Sequence, residues 1–150
     1  MGAGPRRGEA TPQEPQILIL LDTHVLVWTR HGGGRVGRKA ARRIDAALRG
    51  GTLAVSAFSF WELAMLVAGG RVGLRVTVDE FRAATLGAGV LEIGVDGSIA
   101  ILSTRLASMH GDPVDRILVA TAIAHGATLV TADQKILAMR GGPAVVDAQT

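Results

Sequence analysis

The apolar run Ile17-Leu18-Ile19-Leu20-Leu21, halted by Asp22, constrains the fold more than any other feature of the sequence. Five consecutive aliphatic side chains cannot alternate between core and water, so the strand they form must be covered on both faces. Such strands belong inside parallel sheets. Shorter runs of the same kind recur at Leu53-Ala54-Val55, Leu91-Glu92-Ile93, Thr128-Leu129-Val130 and Ala144-Val145-Val146. Between the runs, apolar residues fall at helical spacing over residues 24–30, 38–48, 58–68, 78–86, 98–108, 114–125 and 134–139. Strands alternating with helices imply crossover connections, which predicts an α/β sandwich around a central parallel five-stranded sheet.

With 150 residues, 48% apolar and 19% charged, the chain suits one folded domain, residues 17–150, with ample material for a core. Residues 1–16, rich in Gly, Pro, Arg and Glu, read as a flexible leader outside it. The leader lacks a signal-peptide apolar stretch, and residues 17–21 are too short to cross a bilayer. A soluble cytoplasmic protein with no membrane contact is therefore expected. The absence of Cys excludes disulfides, thiolate zinc sites, iron–sulfur clusters and a cysteine nucleophile. Aromatic residues make up only 3% of the chain, which argues against an extended stacking platform for single-stranded bases.

In a parallel sheet the chemistry gathers beyond the carboxyl ends of the strands. Asp22 stands just after the first strand and Asp133 just after the fourth. Asp115 opens the helix entered through Asp112-Pro113, and Glu62 lies early in the helix that follows Leu53-Ala54-Val55. Four carboxylates from four remote segments would repel by about 4 kcal/mol for each pair ~4 Å apart at an effective dielectric of ~20. A hard cation would relieve that repulsion, and an oxygen-only donor set selects Mg²⁺ or Mn²⁺. Each acid also has a purely structural reading. Asp112 suits an N-cap before Pro113, Asp115 a position favoured by the helix dipole, and Glu62 a capping box with Ser59. Asp22 could start a turn, and Asp133 could cap the helix after it.

Other motifs are weaker. Gly32-Gly33-Gly34-Arg35-Val36-Gly37 satisfies G-x-G-x-x-G, but it follows a helix, and no acid stands about 20 residues on to hold a ribose. Arg38 and Lys39 stand where a phosphate-binding loop needs Lys and Ser or Thr. Asp22-Thr23-His24 lacks the neighbouring second acid of phosphoryl-aspartate enzymes. His24, His31, His110 and His125 are scattered without metal-pair spacing, and Trp28 and Trp61 are expected in the core. Arg30, Arg35, Arg38, Lys39, Arg42, Arg43 and Arg49 crowd a stretch containing a single acid, Asp45. They suit either a polyanion contact or a solvated helix face.

Three blocks together carry a resemblance: Ile19-Leu20-Leu21-Asp22-Thr23-His24; then Ser59-Phe60-Trp61-Glu62-Leu63-Ala64 with Gly70-Arg71-Val72; then His110-Gly111-Asp112-Pro113-Val114-Asp115-Arg116-Ile117-Leu118-Val119-Ala120-Thr121-Ala122 followed by Leu129-Val130-Thr131-Ala132-Asp133. In order and spacing, over about residues 17–147, they resemble the PIN-domain ribonucleases, specifically the VapC toxins of type II toxin–antitoxin pairs. The resemblance implies a PIN-like three-layer sandwich and a metal-dependent endoribonuclease that hydrolyses RNA phosphodiester bonds. It maps the acidic site to Asp22, Glu62, Asp115 and Asp133, with Thr131 in support and Asp112 as a ligand or only a cap. It further implies a homodimer and a small cognate antitoxin. The basic, Gly-rich residues 32–43 depart from the family pattern. Two alternatives remain at this point: a PIN nuclease that processes cellular RNA without a toxin role, or a non-catalytic nucleic-acid-binding module.

Overall fold

The computed structural model describes residues 16–31, 35–106 and 111–150. Residues 1–15 of the expected leader, residues 32–34 of the Gly-rich stretch, His110, and the last two residues of the helix expected over 98–108 lie outside them. The five expected strands are all present: β1 (Ile19–Leu21), β2 (Leu53–Ser56), β3 (Leu91–Ile93), β4 (Thr128–Thr131) and β5 (Val145–Asp147). The helices are α1 (Thr23–His31), α2 (Arg38–Gly50), α3 (Ala57–Ala68), α4 (Val78–Gly87), α5 (Gly97–Ser103), α6 (Pro113–His125) and α7 (Gln134–Leu137). Among the described residues, no helix is long and apolar enough to cross a membrane.

The sheet runs β3-β2-β1-β4-β5 with every pairing parallel. β1 is central, with Ile19 in register with Leu53 on one side and Thr128 on the other. Its side chains alternate between two cores. Ile19 and Leu21 join Val25, Ile44, Phe60, Leu63 and Phe81 beneath α1 to α4, whereas Leu20 joins Ile99, Val119, Leu129 and Ile136 beneath α5 to α7. The result is the expected sandwich of three layers. Leu20 and Leu21 are almost fully buried, and each side chain contributes about 1.5–3 kcal/mol through burial.

β1 is shorter than its apolar run because its neighbours begin opposite Ile19. Among the described residues no strand covers Ile17, which is 62% exposed. At the carboxyl ends of the strands, β2 passes straight into α3: Ser56 closes the strand and also caps the helix, accepting from the Phe58 amide at 3.1 Å. Gly37 begins α2 without a side-chain cap. The terminal segment supplies the acceptors instead, with Gly37 N donating to Ala148 O (2.8 Å) and the Lys39 and Ala40 amides donating to Thr150 O (3.0 and 3.2 Å). The approach is close enough that a Cβ on Gly37 would fall 2.1 Å from that oxygen.

The chain moves outward from β1 to β2 and β3, then returns to lay β4 on the opposite side of β1. The helices that follow β1 and β4 consequently leave toward opposite faces, and a crevice opens between the two strands at their carboxyl ends. Open α/β sheets bind ligands at such a switch point.

Candidate active site

Asp22 follows β1 directly and is only 7% exposed. Its backbone amide donates to Val130 O across the crevice (3.0 Å), and its carbonyl accepts the first helical bond of α1 from Leu26 N (2.9 Å). Its Oδ2 accepts a 2.6 Å hydrogen bond from the Thr131 hydroxyl at the end of β4. The same Thr131 oxygen accepts from Asp133 N at 3.0 Å, so one buried hydroxyl fixes both rim carboxylates relative to the two strands.

The other acids arrive on helices that start at this rim. Asp112 is the N-cap of α6, accepting from Val114 N at 3.0 Å with Pro113 in the first turn, and this places Asp115 in that turn. Asp133 caps α7 through Lys135 N at 2.8 Å. The capping readings of Asp112 and Asp133 thus hold, and in both residues the capping carboxyl also lines the crevice. The capping-box reading of Glu62 does not. α3 begins at Ala57 behind the Ser56 cap, so Glu62 sits in its second turn, beyond reach of a first-turn amide, and faces the crevice.

Asp22, His24, Trp28, Glu62, Asp112, Asp115, Ala132 and Asp133 enclose a cleft of about 280 Å³. All four acids inferred from the sequence therefore meet at one place. Among the described residues none of them forms an ion pair; the one present, Arg82 to Glu92 at 2.7 Å, lies elsewhere. Burial pushes the Asp22 carboxyl up, against the opposing hydrogen bond from Thr131. Burial likewise raises Glu62, with Thr23 and His24 acting the other way. The Thr23 hydroxyl stabilises ionised Glu62 by proximity, yet makes no hydrogen bond of ordinary geometry. Asp115 is pushed up to about 7, first by burial and then by Asp112, Asp133, Asp22 and Glu62 in turn. The starts of α1, α3, α6 and α7 lie at this rim, and the positive ends of their dipoles offset part of the repulsion.

His24 is the site residue that spacing alone missed. In the first turn of α1, its ring nitrogen lies within 4.8 Å of a carboxylate oxygen from Asp22 and one from Glu62, close enough for the three to share an ion. The available signal was its place two residues after the strand-ending Asp22. The expectation that both Trp fill the core is corrected. Trp28 packs partly on the first core, and its remaining surface forms a wall of the cleft. Trp61 is 52% exposed and stacks on Phe58 with centroids 4.9 Å apart. The buried stripe of α3 runs through Ser59, Phe60 and Leu63, which turns Trp61 outward.

The donor chemistry fits a hard divalent cation: the cleft holds an excess of carboxylate oxygens without an ion pair among the described residues, and a buried hydroxyl without a hydrogen bond of ordinary geometry, Thr23 Oγ1, lies beside Glu62.

Residues 19–142 match the family model of the PIN domain. Over 123 residues the chain is 37% identical to ribonuclease VapC22 of Mycobacterium tuberculosis (strain ATCC 25618 / H37Rv), covering 81% of this chain and 92% of that protein. A toxin–antitoxin complex from Klebsiella pneumoniae aligns with a TM-score of 0.57 at 25% identity, over 87% of this chain and 97% of that one. VapBC2 from Rickettsia felis, bound to a DNA fragment from its promoter, shares the fold with a TM-score of 0.65 at 16% identity, over 87% and 98% of the two chains. With the acids, the switch-point crevice and these relatives in agreement, the chain belongs to the PIN-domain family and, within it, to the VapC ribonucleases.

Proposed function

We propose that this chain is a divalent-metal-dependent endoribonuclease that acts as the toxin of a toxin–antitoxin pair. The observation that carries the reading is the convergence of Asp22, Glu62, Asp115 and Asp133, from four remote segments, on one cleft without an ion pair among the described residues. In this reading the nuclease domain spans residues 17–150 and works in the cytoplasm, and Asp22, Asp115 and Asp133 hold Mg²⁺ or Mn²⁺ directly or through water. Bound there, the cation supplies Lewis acidity to a phosphodiester and offsets the negative charge that builds up during hydrolysis.

The protein's own groups do the remaining work. Thr131 holds Asp22 in one orientation through its 2.6 Å hydrogen bond, so the carboxylate presents its other oxygen to the cleft. Glu62, half-buried and raised by that burial, is suited to orient the attacking water and accept its proton at the carboxylate. The attack needs no covalent enzyme intermediate, and the 3′ oxygen departs with a proton from solvent. Asp112, exposed and engaged by Val114 N, keeps its capping role and adds negative potential.

The antitoxin partner is supported by the toxin–antitoxin complexes among the structural relatives. A small protein that covers the acidic cleft would block RNA and cation together, and a homodimer completes the proposed assembly. The test is cleavage of total RNA by purified protein with Mg²⁺, with Mn²⁺ and with EDTA. Cleavage confined to the metal-loaded samples, and absent from the Asp22→Asn variant, is expected. Cleavage that survives thorough chelation overturns the reading.

A further inference from the structure

The sequence presents its basic stretch as one block, but the fold divides it between opposite ends of the sheet. α2 starts beside the terminal segment after β5, at the carboxyl ends of the strands, and finishes beside Thr52, at their amino ends. Arg43 therefore lines an apolar groove with Gln16, Ile17, Ile19 and Thr52, far across the sheet from the acids. Arg35 lies at the acidic end. Its guanidinium carbon is 5.5 Å from the centroid of the Trp28 ring, and Trp28 is a wall of the acidic cleft.

We propose that Arg35 is a substrate contact of this cleft: held at the mouth by Trp28, its guanidinium grips a phosphate of single-stranded RNA next to the one being cut. The inference rests on the nuclease reading above and adds to it a binding residue. A cleft lined by Asp22, Glu62, Asp112, Asp115 and Asp133 repels a polyanion at every point a metal does not neutralise, so the flanking phosphates need a separate cation. Arg35 meets the requirements. It is exposed, and among the described residues its guanidinium makes no hydrogen bond or ion pair, which leaves its planar fork free for phosphate. A solvated cation resting on an aromatic face is held weakly, enough to bias its position and too little to prevent its transfer to a phosphate. Trp28 thus stores the side chain near its working place and lowers the entropy lost when RNA binds.

The experiment measures affinity of an Asp115→Asn protein for a short single-stranded oligoribonucleotide at several salt concentrations, with Trp61→Phe added so that Trp28 is the remaining Trp. Adding Arg35→Gln should weaken binding about three- to fivefold at low salt and reduce the log–log salt slope by ~0.7, the share of one phosphate on a single strand. The change in Trp28 emission that accompanies RNA binding should also disappear. Arg35→Lys should keep most of the slope, because it keeps the charge, and Arg43→Gln should leave affinity and slope unchanged. If Arg35→Gln leaves both unchanged while the otherwise unmodified protein still cuts RNA, the Arg35 assignment is overturned and the nuclease reading stands. If that protein neither binds nor cuts RNA, the nuclease reading fails and this assignment with it.

Discussion

The two ends of the sheet are built to opposite standards. At the amino ends Ile19, Ala47 and Thr52 close their backbone bonds in a tight network, with Thr52 N donating to Ala47 O (2.8 Å) and Ile19 N to Thr52 O (2.9 Å), and Gly51 ends α2 at a positive φ of 73°. No carboxylate lines the groove there. At the carboxyl ends the same strands deliver five acids into one cleft, three of them raised by burial and by one another. One end stabilises the fold, and the other stores electrostatic repulsion that a ligand can release. The acids stand where the sheet tolerates conflict, above strands whose middles are already secured by the two cores.

The comparison can be broken most directly at the acids. Replacing Asp22, Asp115 or Asp133 by Asn should each reduce RNA cleavage by about three orders of magnitude or more, with the circular dichroism spectrum unchanged, since charge is removed and size kept. A fully active Asp115→Asn protein would mean that this residue serves only the start of α6. Next in size is Gly37→Ala, which drives a Cβ into the backbone of residues 149 and 150. Urea melts should register a loss of about 1–3 kcal/mol, and a neutral result would show that the terminal segment is not fastened to α2.

The stored repulsion has a smaller signature with a definite sign. In EDTA, Asp115→Asn should raise the melting temperature by about 3–6 °C, corresponding to roughly 1–2 kcal/mol after allowance for solvent screening of a half-exposed group. The Asp115 carboxyl stands at about 7 in the folded chain, against an ordinary 3.8. Between those values the folded state holds the extra proton, so stability falls as pH rises. The advantage of the Asn variant should thus be greatest above pH 7 and vanish near pH 4; an advantage that grows toward acid contradicts the assignment. The smallest expected effect belongs to the opposite end, where Arg43→Ala should change stability by less than about 0.5 kcal/mol and leave cleavage untouched.

The parts of the fold that were legible in the sequence are those governed by burial and by short-range geometry. The runs at β1, β2 and β4 became strands buried throughout because only a two-sided core can accommodate them, whereas the edge strands β3 and β5 are only partly covered, and Asp112-Pro113 became the start of α6 because cap and proline favour the same backbone. That Asp22 and Asp133 share a rim followed from both standing after parallel strands, and the adjacency of β1 and β4, which brings them together, is given by the fold. What escaped depended on where an element begins and which way it faces. A three-residue shift of the cap from Ser59 to Ser56 moved Glu62 out of a first-turn role, and Trp61 faces solvent. Sequence spacing does not mark His24, because its partners, Asp22 and Glu62, converge through tertiary packing that spacing along one helix does not register. The division of the basic stretch likewise depended on the direction of α2 across the sheet.

The hydrogen bond from Thr131 to Asp22 joins residues 109 positions apart. Synthesis at about 5–20 residues per second separates the emergence of those two partners by roughly 5–20 s. Throughout that interval the nascent chain has the Asp22 carboxylate but neither the hydroxyl that orients it nor the strand that completes the crevice. A ribosome carrying an unfinished copy therefore carries β1 without its β4 neighbour, and the cleft is assembled only after residue 131 has emerged.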